Sequence, residues 1–251
     1  MMDDLIRDLY GTPKPDQDAQ ARVWRRLAAR RRRRRLSWLS IPAVVAAAAV
    51  VFAVVASPAR QGRAVLMSAA TTAAAIPADG AYWYIKKERD GFGTTELWAS
   101  RDGRAWTSKR GRAVVVSGSP FTMAGRELTF EQIERLPADP DKLKAAVTAL
   151  LPPNSRGLLA DALAGLLWTK PSPPAIRAAA FQALADLPEV GYLGENSPGE
   201  AFSYALPGGS KRILVIDPKT SQVLSCTDTG PSPRTERVIE AGWTDKGPDF
   251  R

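Results

Sequence analysis

The chain has 251 residues, of which 45% are hydrophobic and 24% are charged, so most of it is able to form a packed core. The formal net charge of +9 is uneven: residues 1–38 carry +6 and the remainder carries +3, so a basic nucleic-acid-binding domain is not indicated. The sequence has no histidine, which excludes Ser-His-Asp and Cys-His catalysis, histidine-ligated zinc and histidine-based proton transfer.

Residues 1–38 are a short basic tail in which two short helices are predicted. The first covers residues 3–10, and the second begins at a cap formed by Asp16 or Asp18 and runs toward the arginines. A polybasic segment beside a membrane attracts anionic lipids by about 1 kcal/mol per near-surface Lys or Arg. The residues expected to contact the membrane surface are Arg30, Arg31, Arg32, Arg33, Arg34 and Arg35. A sharper hypothesis is that the tail docks to a cytosolic protein through Leu5, Ile6, Leu9 and Trp24. DNA binding by the arginines has little support, because so short a tail has no recognisable reading head.

Residues 39–56 are an uncharged run of 18 residues, which includes nine Leu, Ile, Val or Phe and seven Ala. As a helix with a rise of about 1.5 Å per residue it would be roughly 27 Å long, close to the hydrocarbon thickness of a bilayer. The strongly apolar residues favour insertion by roughly 3 to 5 kcal/mol. Pro42 falls in the first turn, where its missing N–H costs little. The run therefore predicts a transmembrane helix, with a buried helix of a soluble domain as the weaker alternative.

The charges around this run predict its orientation. Arg30–Arg35 stand before it and only Arg60 and Arg63 follow closely, so the positive-inside rule keeps the N-terminus in the cytoplasm. Everything after Ser57 is then expected outside the cell. A cleaved signal peptide is the main competitor, because Ala56, Ser57 and Ala59 resemble a cleavage site. The 38 residues before the run are longer than a usual signal n-region, which favours an uncleaved anchor.

An amphipathic helix is predicted next, over residues 61–75, followed by strands at 82–86, 95–100, 104–109 and 113–116. Asp90-Gly91 and Asp102-Gly103 mark hairpin turns between them, so an antiparallel meander is expected.

Four helices are predicted in the middle of the domain. Thr129 and Gln132 fit a capping box before a helix at 130–136, and Asp139-Pro140 supplies a cap and a first-turn proline for one at 141–151. Ser155 precedes a helix predicted at 157–168, and Ser172-Pro173 is expected to open one that runs through Leu184 in the same way.

Strands return at residues 191–195, 201–206, 212–216, 222–227 and 235–243, separated by turns rich in Pro and Gly. The only cysteine, Cys226, lies late in one of them, which excludes an intramolecular disulfide and favours a small buried residue. An intermolecular disulfide stays open, because the domain is expected outside the cytoplasm.

Strands, then helices, then strands predict an α+β fold in which a curved antiparallel sheet has helices on one face. The domain boundaries predicted from this pattern are a basic cytoplasmic tail at 1–38, a transmembrane helix at 39–57, a linker with an amphipathic helix at 58–79 and an extracytoplasmic α+β domain at 80–251.

Several stretches match motifs of one protein family, namely residues 82–86, 96–98 with 101–104, 128–133 with 136–141, 173–177 with 185–188, and 216–220. On these motifs the chain resembles an uncharacterised family of actinobacterial single-pass membrane proteins with an anti-sigma-like layout, often encoded near extracytoplasmic-function sigma factors. The tail, apolar run and outer domain follow the same order, so the resemblance covers nearly the whole chain. It implies no established activity and no catalytic residues.

The predicted outer domain also looks like the half-barrel of periplasmic lipoprotein carriers and of the sensor protein that regulates envelope-stress sigma signalling. A likeness at the level of fold says little about function. The chain differs from zinc-type anti-sigma factors because it lacks histidine and paired cysteines.

The sequence therefore predicts a non-enzymatic, membrane-anchored sensing or binding protein, acting as an accessory regulator of sigma-factor signalling. The alternative is a carrier or binder of a lipid or other hydrophobic ligand at the outer face of the membrane. Expected partners are the anionic inner leaflet, a sigma factor or other cytosolic protein at the tail, and an unidentified extracytoplasmic ligand. The aromatic residues expected to line a space between sheet and helices, with a role in the core as the simpler alternative, are Tyr82, Trp83, Tyr84, Trp98 and Trp106.

No cofactor, metal or catalytic residue is expected, because the sequence has no phosphate loop, metal motif or nucleophile elbow. The carboxylates that an enzyme would have to use are Glu127, Glu131, Asp139, Asp141, Asp161 and Asp217, and each of these has a simpler structural role.

Overall fold

The computed structural model describes residues 57–109, 112–153 and 155–249. These residues form an α+β domain that contains one large antiparallel sheet of nine strands, a separate two-stranded hairpin and five α-helices. The predicted α+β class with an antiparallel sheet is confirmed, and the sheet does not close into a barrel.

The helices are α1 (Pro58–Ala75), α2 (Phe130–Glu134), α3 (Pro140–Leu150), α4 (Leu159–Trp168) and α5 (Pro174–Ala185). The strands are β1 (Tyr82–Arg89), β2 (Gly93–Ser100), β3 (Ala105–Lys109), β4 (Arg112–Val115), β5 (Thr122–Met123), β6 (Arg126–Glu127), β7 (Gly191–Asn196), β8 (Gly199–Ala205), β9 (Lys211–Asp217), β10 (Gln222–Thr229) and β11 (Arg234–Thr244).

The large sheet consists of two meanders joined at one place. Its strand order is β4-β3-β2-β1-β11-β10-β9-β8-β7, so each meander contains only chain neighbours, and the pairing of β1 with β11 connects them. The four helices α2–α5 and the β5–β6 hairpin lie between the meanders in the sequence. The β1–β11 pairing therefore brings together the two parts of the chain that flank the helices.

The predicted hairpin turns are confirmed by backbone geometry. Gly91 has φ +79° and Gly103 has φ +86°, which is the left-handed region where glycine has no Cβ to clash. Both glycines follow an aspartate, as the sequence signature requires.

Two of the three predicted helix caps are also confirmed. The Thr129 side chain accepts a hydrogen bond from the Gln132 N–H at 3.1 Å, while the Gln132 side chain accepts one from the Thr129 N–H at 2.8 Å. The Asp139 carboxylate accepts from the Lys142 N–H at 2.9 Å and starts α3. Each cap supplies an acceptor to a first-turn N–H group that has no partner within the helix.

The third predicted cap is wrong. Pro173 rather than Ser172 stands at the cap position of α5, without a side-chain cap. A 3₁₀ turn over Arg156–Leu158 precedes α4. The β5–β6 hairpin was not predicted from the sequence, since each of its strands has only two residues.

Helix α1 is part of this packed domain. Its buried residues Leu66, Ala69, Ala70 and Ala73 recur at helical spacing, and the helix packs mainly against α5 and β7. Small alanine side chains allow the two helices to approach closely.

Strand register shows which face of the sheet receives the helices. Gly62 of α1 lies against Tyr192 and Phe202, and Trp168 of α4 lies beside Lys87. Residues that stand opposite each other in an antiparallel pair lie on the same face of the sheet. Leu214, Cys226 and Glu236 stand opposite one another on β9, β10 and β11, and they show that Phe202 on one side and Lys87 on the other lie on one face. We call this face the helix side of the sheet and the opposite face the outer side.

No helix in the described parts of the chain combines the length and the apolarity needed to cross a membrane. The predicted transmembrane run and the basic tail lie outside the described residues.

Two glycines on neighbouring strands, Gly191 on β7 and Gly199 on β8, offer a matched test of the sheet packing. A Cβ added at Gly199 would lie 2.6 Å from the backbone oxygen of Ile216 on β9, whereas one at Gly191 would meet nothing closer than 3.6 Å. We expect Gly199→Ala to lower the free energy of unfolding by about 2 kcal/mol, the typical cost of forced overpacking. Gly191→Ala should change it by less than about 0.5 kcal/mol. Urea denaturation of both variants checks this, and equal effects would contradict the close β8–β9 approach.

Candidate functional site

A group of charged side chains occupies the helix side of the sheet at the end nearest the β1–β2 and β10–β11 turns. In the register, Tyr204, Arg212, Asp228 and Arg234 stand opposite one another across four adjacent strands, β8 to β11. These side chains and their neighbours form a polar area on a face that is otherwise covered by apolar helices.

Glu236 links the two meanders within this polar area. Its carboxylate, on β11, accepts hydrogen bonds from Lys87 Nζ at 2.9 Å and from Arg89 Nε at 2.8 Å, both on β1. Burial by itself raises the pKa of Glu236, but the hydrogen bonds and charges of the two cations outweigh it and hold that pKa below 4.5. The Lys87 ammonium also lies 5.5 Å from the ring centre of Trp168, a cation–π distance.

Arg212 is the central residue of a chain of ion pairs. Its guanidinium binds Asp228 in a bidentate pair, with Nε to Oδ1 at 2.6 Å and Nη2 to Oδ2 at 2.8 Å. It also donates to the Asp161 carboxylate of α4, and Arg234 contacts Asp228 at 3.1 Å. Desolvation works against the charged form of Arg212, but the Asp228 hydrogen bond and nearby negative charge raise its pKa overall, so its positive charge is fixed.

Lys170 is the buried cation with the weakest compensation in this area. Its residue is only 4% exposed, and its ammonium donates to the Thr169 hydroxyl at 3.2 Å but forms no ion pair with any described carboxylate. Burial lowers the pKa of Lys170 to about 8, with Asp161 opposing the shift.

The ammonium of Lys170 borders a small cavity, which we call the lysine pocket, with a volume of about 140 Å³. Its walls come from α4, from the β5–β6 hairpin and from the sheet, and its polar lining residues are Thr122, Asp161, Thr169, Lys170, Tyr204 and Arg212. Burial raises the pKa of Tyr204 well above its usual range, so its hydroxyl stays protonated and lies 3.4 Å from Asp161 Oδ1.

A larger recess, which we call the open cleft, lies at the end of the same face. It has a volume of about 640 Å³ and is lined by Arg89, Asp90, Phe92, Asp228, Ser232, Pro233, Arg234 and Thr235. The Phe92 side chain is 80% exposed and lies 5.6 Å from the Arg89 guanidinium. Asp228 borders the cleft and binds Arg212, so the ion-pair chain connects the open cleft with the lysine pocket.

Arg177 is a second buried cation, and its contacts assign it a structural role. Its Nη2 donates to the Ser221 carbonyl at 2.9 Å, and this holds the turn after β9 against α5. Burial lowers the pKa of Arg177 as well.

The arrangement is suited to binding charged groups by hydrogen bonds and ion pairs. Within the described residues no cluster of three or more Cys, Asp or Glu is placed to hold a metal ion. Cys226 is 5% exposed, and burial raises the pKa of its thiol to about 12, which makes it a poor nucleophile. Its predicted role as a small buried residue is confirmed.

The structure does not test the site residues that the sequence indicated. The arginines Arg30–Arg35 and the proposed docking residues Leu5, Ile6, Leu9 and Trp24 all lie outside the described residues.

The strand aromatics divide between the two faces. Trp83 is buried on the helix side, but Tyr84 pairs with Trp98 and Trp98 with Trp106 on the outer side. The prediction that these aromatics share one space between sheet and helices is therefore wrong for the outer residues, because alternate strand positions point to opposite faces.

Of the carboxylates considered for catalysis, only Asp161 belongs to the polar area. Asp139 caps α3, and Asp217 accepts hydrogen bonds within its own turn from the Lys219 N–H at 2.9 Å and the Thr220 hydroxyl at 2.8 Å. These two structural roles agree with the sequence prediction.

Sequence reasoning missed the charged strand residues and Lys170. A usable signal was present in β1, where Lys87 and Arg89 continue the alternation set by the buried Trp83 and Ile85. Charged residues in register with core positions indicate a polar site on the covered face. Lys170 gave no such signal, because Thr169-Lys170-Pro171-Ser172 is typical of a solvated loop.

Comparison with known proteins adds no identification: no family model matches the chain, and the search of curated proteins found no match.

The buried charge of Lys170 predicts an unusual dependence of stability on pH. With a folded pKa of about 8 and an ordinary pKa of 10.5, the unfolded chain binds this proton more strongly, so stability rises between these pH values. We expect Lys170→Met to raise the free energy of unfolding at pH 7 by up to about 3 kcal/mol, and this gain should shrink toward pH 10.

Urea denaturation of full-length wild type and variant at pH 7 and pH 10, in buffers free of phosphate and sulfate, measures this difference. Lys211→Met is the matched control, because Lys211 is an exposed lysine on β9. A pH-independent difference between wild type and Lys170→Met would contradict the buried ammonium.

Glu236 predicts the opposite pH behaviour. Because its folded pKa is depressed below 4.5, its stabilising effect is present above that pH and is lost as the pH falls through the folded pKa. We expect Glu236→Gln to lower the free energy of unfolding at pH 7 by about 2 kcal/mol, the usual scale for hydrogen bonds to a charged group. On acidification, the variant should not show the loss of stability that protonation of Glu236 causes in wild type. Glu240 lies on the same strand but is exposed. In parallel acid titrations, Glu240→Gln should have the stability of wild type at pH 7 and the same loss of stability on acidification.

Proposed function

We propose that this protein is a non-enzymatic, membrane-anchored binding module, with its folded domain outside the cell and its basic tail inside. In this role it recognises an extracytoplasmic partner and acts as an accessory regulator of sigma-factor signalling. The proposal combines the resemblance of the chain to single-pass membrane proteins with the charged recess described above.

The open cleft is the observation that carries the binding role. Its volume of about 640 Å³ lies within the range of ligand sites, which is roughly 300–1,000 Å³. An exposed Phe92 stands beside Arg89 and Arg234, and aromatic and arginine side chains are the usual anchors of protein interfaces. The presence of Asp228 as well as the arginines favours a partner that carries both charge and an apolar group.

A carrier of lipid or another hydrophobic ligand is the second candidate, supported by the open antiparallel sheet with helices packed on it. In this conformation the helices occupy the space that such a ligand would need. The recess between α1, α5 and β7 holds about 180 Å³, and the one near Phe121 and Phe130 holds about 150 Å³. Because both volumes are below the roughly 300 Å³ of ordinary ligand pockets, lipid binding requires the helices to move.

The topology is testable by labelling single cysteines in whole cells. Wild-type Cys226 should stay unlabelled by a membrane-impermeant maleimide, since it is buried with a raised pKa. Leu193→Cys adds a thiol at a position that is 55% exposed and should be labelled from outside. Gln17→Cys, in the tail, should be labelled only after the cells are permeabilised. Labelling of Gln17→Cys in intact cells, or protection of Leu193→Cys, would contradict the proposed orientation.

The binding role is testable by crosslinking and pull-down from membranes. Phe92→Ala should weaken retention of an extracytoplasmic partner about tenfold, the scale of a lost aromatic anchor. Ile239→Ala is the matched control, because it truncates another exposed apolar side chain of the domain, 54% exposed on β11.

In the same experiment, deletion of residues 1–38 distinguishes partners that bind the tail from partners that bind the open cleft. A sigma factor that is lost with the tail but kept by Phe92→Ala supports the regulatory role. A partner that both Phe92→Ala and Ile239→Ala retain equally would remove the open cleft from the proposal.

A further inference from the structure

We propose that the lysine pocket is a binding site for a small oxyanion, such as a phosphate or carboxylate group, with the ammonium of Lys170 as its main contact. This site is separate from the open cleft, so the inference does not depend on the partner proposed there.

The charges around the pocket leave one positive charge without compensation. Lys170 and Arg212 are cations, and Asp161 is the only carboxylate that lines the pocket. Asp161 Oδ1 already accepts from Arg212 and from the Tyr204 hydroxyl. The second carboxylate bound by Arg212, Asp228, faces the open cleft and is shared with Arg234. An anion at Lys170 would restore the balance.

The hydrogen bonds of the ammonium lead to the same conclusion. A lysine ammonium has three donor protons, and in the described structure only the Thr169 hydroxyl accepts one. That hydroxyl donates in turn to the Gly165 carbonyl at 2.7 Å, so its orientation is fixed. The carbonyls at the C-terminal end of α4 make no hydrogen bond to Nζ. A buried ammonium with free donors is costly, and an oxyanion supplies both acceptors and negative charge.

Gly165 provides the space in which the ammonium lies. A Cβ at this position, in the middle of α4, would stand 2.7 Å from Lys170 Nζ. Glycine within a helix costs roughly 1 kcal/mol relative to alanine, and most other small residues of α4 are alanine. The position of the ammonium against the helix accounts for this glycine.

The pocket is large enough for an oxyanion and is open to solvent. Its volume of about 140 Å³ is several times the roughly 30 Å³ that a water molecule occupies in the liquid. The exposed Thr122 lies at its edge, and the Asp161 side chain is 30% exposed. The pocket is therefore accessible to solvent from the side of Thr122 and Asp161.

Binding should weaken as the ammonium loses its proton. The titratable and charged groups that face Lys170 are Asp161 on α4, Tyr204 on β8 and Arg212 on β9, and the β5–β6 hairpin contributes none. Because the pKa values of Tyr204 and Arg212 are raised above their already high ordinary values, a loss of affinity above about pH 8 reports on Lys170.

The test measures binding of inorganic phosphate, sulfate and acetate to the full-length chain in a mild nonionic detergent, by calorimetry and by the shift in thermal midpoint at constant ionic strength. At least one of these anions should bind saturably to wild type and at least tenfold more weakly to Lys170→Met. Gly165→Ala should lose binding to a similar degree, because its methyl group displaces the ammonium. Lys211→Met, which removes an exposed positive charge, should bind as wild type does.

Sulfate is the probe for the pH series, since its charge does not change between pH 6 and pH 10. A short-chain phosphatidic acid in a parallel series distinguishes a lipid headgroup from a free anion, and Lys170-dependent binding of either supports the site. Absence of binding to wild type, or binding by Lys170→Met or Gly165→Ala that is as tight as that of wild type, would overturn it. The open cleft would be unaffected by that result, because its test relies on Phe92.

Discussion

The pairing of β1 with β11 is the interaction on which the rest of the domain depends. It joins two meanders that are otherwise built from chain neighbours, and the helices pack on the face that the joined sheet provides. Glu236, Lys87 and Arg89 cross this pairing with buried charge, which is stabilising only while both strands hold their register. The same three residues border the polar area, so the polar area is complete only when β1 and β11 are paired.

The polar area illustrates how a sheet can carry a site on its covered face. The helices bury the apolar part of that face, and the charged positions begin where helix coverage ends. Arg212 connects the two recesses because it binds Asp161 on one side and Asp228 on the other. A ligand that alters either ion pair therefore acts on Arg212, whose two carboxylate partners border different recesses, and this provides a physical connection between them.

Local sequence signals predicted most of the fold but little of the site. Asp90-Gly91 and Asp139-Pro140 are short motifs whose chemistry acts within a few residues, so their turns and caps could be read directly. The β5–β6 hairpin turns at Ala124 and Gly125, both at positive φ, and alanine there is no turn signature. Lys170 is enclosed by the sheet residues Tyr204 and Arg212, which only the tertiary structure brings near. Its burial could not be inferred from a polar loop sequence.

The β1–β11 pairing also has a kinetic consequence. Tyr82 pairs with Thr244, so one edge of β1 has no partner until nearly all of the domain is present. Contacts this distant in sequence slow folding, since the entropy of closing the loop is lost before the contact stabilises the chain. Until β11 pairs with β1, the first meander therefore has an unpaired edge that contains Trp83 and Ile85. A chaperone that shields this edge until β11 is available would increase the yield of folded protein without changing its final stability.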